Sequence, residues 1–181
     1  MLVHSTLLIF VAAFQLTATQ GPPPLPPNLP KECLQPPHVE NPRACCKLPV
    51  IFTKENFESC GFKENPEGKS KYGPPDCTKQ LCLLRTHDLV KEDDQVDQEA
   101  LIKFIDGWAD TYPEFKPPVE SAKSKCLGKE LPGPPEICEA NKIVFCISSV
   151  LFMECPVWAN EDEGCKNLKN HIDTCSKYFP H

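Results

Sequence analysis

Ile143-Val-Phe-Cys-Ile-Ser-Ser-Val-Leu-Phe-Met-Glu-Cys-Pro156 carries nine apolar residues in the eleven from Ile143 to Met153, counting Cys146. Lys142 and Glu154 bracket the run. A bilayer needs about 20 apolar residues, so the run is too short to span one. It reads instead as a helix buried on most of its circumference. Ile143, Val144, Phe145, Ile147, Val150, Leu151, Phe152 and Met153 are its large side chains. Their full burial would contribute roughly 12–24 kcal/mol gross. Cys138, Cys146 and Cys155 tie the segment to the rest of the chain. Its apolar faces must meet a core, a ligand cavity, or both.

Working outward, this helix is expected from about Pro135 to Glu154, with Pro156 as its stop. Leu131-Pro-Gly-Pro-Pro135 before it reads as a rigid turn. Residues 117–128 read as a shorter helix that carries Cys126 and ends near Gly128. Upstream, Val96, Ala100, Leu101, Phe104, Ile105 and Trp108 recur at helical spacing, with Asp94 or Asp97 as N-cap and Pro113 as the end. Glu92-Asp-Asp94 reads as a solvated turn whose charge suits that helix start, since EF-hand spacing is missing. Pro75 and Asp76 suit another start, and Cys77, Leu81, Leu84 and Asp88 share one face. Downstream, Glu161-Asp-Glu163 opens a last helix on which Cys165, Leu168, Ile172 and Cys175 form one stripe. Residues 31–75, interrupted by prolines, read as a loop-rich section with one short helix near Lys54–Cys60. No run of strand length alternates. The fold class is all-α.

The ends have a different character. Leu7-Leu-Ile-Phe-Val-Ala-Ala-Phe14 followed by Thr17-Ala-Thr19 reads as a signal peptide over residues 1–20. Residues 21–32 form a proline-rich arm of extended, polyproline-like chain. Residues 33–181 are one domain's worth. The formal net charge of −6 lies wholly after residue 30. With no Lys/Arg cluster, nucleic acid is not an expected partner.

Twelve cysteines in a secreted chain imply a disulfide framework. Cys77-x4-Cys82 with His87 lacks the second half of a zinc site, so no metal and no cofactor are expected. Helix geometry removes many pairings. At about 1.5 Å rise per residue, Cys138, Cys146 and Cys155 stand too far apart to pair with one another, and so do Cys165 and Cys175. Cys77 and Cys82 are unsuitable partners as well, and adjacent Cys45 and Cys46 would pair only with strain. The bridges therefore join different helices and the N-terminal section, which includes Cys33 and Cys60.

Cys146-x8-Cys155 followed at once by Pro156, with Cys165 and Cys175 at ten-residue steps, resembles the insect odorant-binding proteins. Adjacent Cys45-Cys46 before Lys47-Leu-Pro49, and the gap from Cys82 to Cys126, resemble their cysteine-enriched Plus-C group. The likeness covers roughly residues 33–175. It implies a compact, disulfide-stapled bundle of about six helices around an apolar cavity. It also implies an extracellular carrier of small hydrophobic ligands, in a fluid like sensillum lymph. A chemosensory receptor or a second copy of the chain would be its protein partners. In the basic family the first cysteine joins the third, the second the fifth, and the fourth the sixth. Carried over, this implies Cys60–Cys82, Cys77–Cys146 and Cys126–Cys155. Cys138 competes with Cys126 for the fourth place.

On the carrier reading, Phe104, Ile105, Trp108, Phe145, Val150, Leu151 and Phe152 are the candidate ligand-binding residues, each weighed against plain core packing. Tyr178, Phe179 and His181 are candidates for a lid over the pocket, with His171 or His181 coupling it to pH. The rival readings are less well supported. A secreted phospholipase A2 needs a histidine shortly after the adjacent pair, and Lys47, Leu48 and Pro49 stand there. No nucleophile or acid/base motif surrounds the five histidines, so no enzyme is expected. The alternative is a secreted cysteine-rich interaction protein such as a protease inhibitor, with Leu131–Pro135 as its loop.

Overall fold

Side-chain caps start four of the six α-helices. A computed structural model describes residues 26, 28–62 and 76–178. Among them the helices are α1 (Lys54–Ser59), α2 (Cys77–Arg85), α3 (Gln98–Thr111), α4 (Lys116–Cys126), α5 (Glu139–Met153) and α6 (Glu163–Cys175). Thr53 and Asn56 form a capping box on α1. Asp76, Asp97 and Asp162 accept backbone N–H bonds from Thr78, Ala100 and Cys165 at 2.8, 3.0 and 2.8 Å, opening α2, α3 and α6. Pro117 and Pro118 sit in the first turn of α4, where no intrahelical N–H is needed. No strand occurs among the described residues; Cys46 with Trp158 and Val90 with Val96 form isolated bridges. The all-helical class holds.

The signal-peptide reading of residues 1–20 lies outside the described residues, as do most of the proline-rich arm, residues 63–75, and Phe179 and His181.

The central helix differs from expectation in two ways. It starts at Glu139, not near Pro135, because Cys138 is extended (φ −67°, ψ 157°) and Ile137 N–H closes a turn onto Pro134 O at 3.1 Å. It also buries one face, through Ala140, Ile143, Ile147, Val150 and Leu151, with Asn141 beside them. Phe145 is 74 % exposed. The neighbours α4 and α2 cover one side of α5 and leave the other to solvent. On α2 the buried face is Gln80, Leu83 and Leu84, rotated from the expected stripe, with Leu81 half-buried.

Two cores result. The larger one gathers Leu84, Leu101, Ile105, Val119, Ala122, Ile143, Ile147 and Leu151 from α2 to α5. The smaller one gathers Cys45, Cys46, Phe115, Cys155, Trp158, Cys165 and Leu168. Leu48 and Trp108 pack against both.

All twelve cysteines are bridged. Cys33–Cys175, Cys45–Cys165 and Cys46–Cys155 are nested, so the N-terminal section lies against the chain from Cys155 to Cys175. Cys45 and Cys46, adjacent in sequence, reach different partners. Backbone bonds Lys47 N–H to Val157 O (2.9 Å) and Ala159 N–H to Cys45 O (2.8 Å) zip the same edge. Cys60–Cys82, Cys77–Cys138 and Cys126–Cys146 staple the larger core.

The pairs Cys77–Cys146 and Cys126–Cys155 are therefore corrected. Cys77 opens α2 and Cys138 caps α5, and these two helix starts adjoin, with Cα atoms 6.2 Å apart. Cys146 lies about 12 Å further along α5, where the last residue of α4, Cys126, meets it at 5.7 Å. Cys155, beyond the far end of α5, meets Cys46 at 6.0 Å. The interlocked order of first to third, second to fifth and fourth to sixth is present nonetheless. Its members are Cys60, Cys77, Cys82, Cys126, Cys138 and Cys146. The order expected from the resemblance was displaced by one cysteine, because Cys138 takes the fifth place.

Candidate ligand site

The seven candidates separate into four environments. Ile105, Val150 and Leu151 are buried in the larger core. Phe152 packs its ring on Trp158 in the smaller core, centroids 5.4 Å apart. Phe145 faces solvent. Phe104 and Trp108, one turn apart on α3, are half-buried and lie together under the segment Leu48-Pro-Val-Ile-Phe52.

That segment is a strap. Leu48, Ile51 and Phe52 pack against the larger core. The Phe52 ring stacks on Phe104 at 5.6 Å and 24°. The Trp108 indole Nε1–H donates to Val50 O at 3.1 Å. His87 completes the wall, 4.7 Å from the Phe104 ring and 5.5 Å from Phe52, with Nε2 at 3.3 Å from Asn56 Oδ1. Phe57 stands edge-on to both Phe52 and Phe62. At the other end Trp108 meets Tyr112 and Phe115, each at 5.3 Å. The result is two aromatic groups, Phe62–Phe57–Phe52–His87–Phe104 and Trp108–Tyr112–Phe115, one turn of α3 apart and bridged by the strap.

Phe52, His87 and the Val50 carbonyl are members that the sequence reading missed. One signal was available. Leu48–Phe52 is an apolar run fixed between Cys46 and the Thr53 cap, too short and too proline-broken to be an element of its own. Such a run in a loop has to lie on something apolar.

Two surface clefts lie elsewhere. One is lined by charged side chains around the Val90–Val96 bridge, including Arg85, Asp88, Lys91 and Glu92. The other lies between the N-terminal section and α6, lined by Glu32, Gln35, Pro37, Asn167, Asn170, His171 and Thr174. Neither includes any of the seven candidates. Among the described residues no three His, Cys, Asp or Glu side chains gather as metal ligands. No helix there is long and apolar enough to cross a membrane. The Leu131–Pro135 turn is exposed apart from Leu131, which rests on the larger core.

The chain is 22 % identical to General odorant-binding protein 68 of Anopheles gambiae over an alignment 184 positions long, covering 94 % of this chain and 84 % of that one. The similarity is distant and chain-long, and it supports the odorant-binding family as a whole. No protein-family model matches the chain.

Proposed function

We propose that the protein is an extracellular, non-catalytic carrier of small hydrophobic molecules, odorants or pheromone-like semiochemicals. The observation that carries this reading is the chain-long similarity to an odorant-binding protein. The interlocked order of Cys60–Cys82, Cys77–Cys138 and Cys126–Cys146 supports it independently of overall identity. The six further cysteines, nested in pairs from Cys33–Cys175 inward, are what favours the cysteine-enriched Plus-C group within this reading. Secretion into a sensillum-lymph-like fluid, after removal of a signal peptide near residue 20, follows from the same reading; N-terminal sequencing of the secreted protein tests it.

The binding experiment uses oxidised, purified protein and the fluorescent probe N-phenyl-1-naphthylamine. A carrier enhances the probe's emission and releases it to apolar volatile competitors. Absence of both effects overturns the proposal. Inhibition of a protease without probe binding would favour the exposed Leu131–Pro135 turn and the interaction-protein reading.

A further inference from the structure

We propose that the strap Leu48–Phe52 and the α3 face beneath it are the ligand-binding site, and that the ligand is an apolar, ring-bearing molecule with one carbonyl oxygen. This rests on the carrier reading and specifies its site and ligand chemistry. In the structure the strap occupies the place the ligand would take. It lays an aromatic ring on Phe104 and offers one carbonyl oxygen to the Trp108 indole N–H.

The strap is held along its length by side chains and not by backbone pairing, and is fixed covalently and by backbone bonds near its ends. From Leu48 to Phe52 no backbone group takes part in a backbone–backbone hydrogen bond among the described residues. The Val50 carbonyl has the indole of Trp108 as its partner. With no ladder of backbone bonds to break, what opening costs is the side-chain contacts of Leu48, Ile51 and Phe52, each half-buried. Lys47 N–H is bonded to Val157 O, and Cys46–Cys155 fixes the chain just before the strap. The α1 capping box and Cys60–Cys82 fix it just after. The strap can therefore lift and return without loss of the surrounding fold. Lifting it uncovers Phe104 and Trp108 and frees the space of Leu48, Ile51 and Phe52.

The chemistry of the floor selects the occupant. An indole N–H is a donor and nothing else, so the guest has to supply an acceptor in place of Val50 O. A pure hydrocarbon would cover the aromatic floor without replacing the Val50 acceptor, and so forgoes the hydrogen bond an acceptor-bearing guest makes there. The rings of Phe104 and His87 suit a second ring in the position of Phe52.

The test compares 2-phenylethyl acetate with pentylbenzene, a hydrocarbon of the same chain length, as competitors of N-phenyl-1-naphthylamine on the full disulfide-bonded chain. Because the two differ in apolarity, what is read is the ester-to-hydrocarbon affinity ratio of wild type against that of Trp108→Phe. Trp108→Phe should lower that ratio about three- to tenfold through loss of the donor, whatever it does to the two affinities in common. A ratio unchanged by Trp108→Phe overturns the site while probe binding leaves the carrier reading standing. Failure of wild type to bind probe or either competitor overturns both. A second measurement needs no variant. The indole N–H resonance of Trp108 should shift on adding the ester, while that of Trp158, 7 % exposed in the smaller core, should stay in place. A shift at Trp158, or at neither indole, overturns the proposal.

Discussion

Phe115 and Phe145 show how far the same side chain can differ in consequence. Phe115 is 0 % exposed and meets Trp108 edge-on in the smaller core. Phe115→Ala removes a ring that its bridged surroundings are poorly placed to replace, and should cost about 3–5 kcal/mol. Urea denaturation with the disulfides intact measures it. Phe145, at 74 % exposed, should tolerate Phe145→Ser within about 0.5 kcal/mol. The same variant should leave probe affinity unchanged, since no described feature of the strap site includes it. The sequence hid this difference for a definable reason. Nine apolar residues in eleven fill nearly every direction around a helix, so the run shows which residues are apolar and not which face meets a neighbour. The stripe Ile143, Ile147, Val150 and Leu151 becomes visible once α4 and α2 are placed beside it.

Helix starts were the most legible elements. Asp76, Asp97 and the acidic turn ending in Asp162-Glu163 act within two or three residues of themselves, so local sequence suffices. Asp97→Ala should cost about 1 kcal/mol through loss of the α3 cap, read as a lower urea midpoint with unchanged slope. The start of α5 and the disulfide partners were not legible, because they depend on which helix ends adjoin. Nothing around Cys77 distinguishes Cys138 from Cys146 until α2 and α5 are set start to start. The contact of α3 with α4 permits a pH argument. Lys123 on α4 donates to Asp106 of α3 at 2.7 Å and contacts Glu120 at 2.6 Å. Its hydrogen bond to Asp106 first, then that to Glu120, raises its pKa above the ordinary 10.5. A raised cationic pKa stabilises the fold fully below the unfolded value and loses that contribution only as pH rises through the folded one. Lys123→Met should therefore cost up to about 1 kcal/mol, and the same amount at pH 5 as at pH 8. A cost that differs between those two values would contradict the assignment.

At the scale of the whole molecule the nesting of the bridges matters more than their number. Cys33 and Cys175 are 142 residues apart, a separation that in the chain-entropy model corresponds to about 5 kcal/mol. That value applies to a bridge acting alone. With Cys45–Cys165 and Cys46–Cys155 in place, the loop closed by the outer bridge runs from Cys33 to Cys45, crosses the bridge, and returns from Cys165 to Cys175. This is about 22 residues, and the same model gives about 3 kcal/mol. The double variant Cys33→Ser/Cys175→Ser should thus lose about 3 kcal/mol, with both buried cysteines replaced to leave no free thiol. The order of removal should matter. Whichever of the three nested bridges is removed last closes a longer loop, shortened only through Cys60–Cys82 and Cys77–Cys138 to about 36 residues for Cys46–Cys155 and about 69 for Cys33–Cys175, and its loss should cost about 4 kcal/mol. Stepwise serine pairs followed by urea denaturation at pH 7 measure both values. Equal costs at each step would mean that the N-terminal section and α6 are held by their packing around Trp158 and Leu168, and not by the cage.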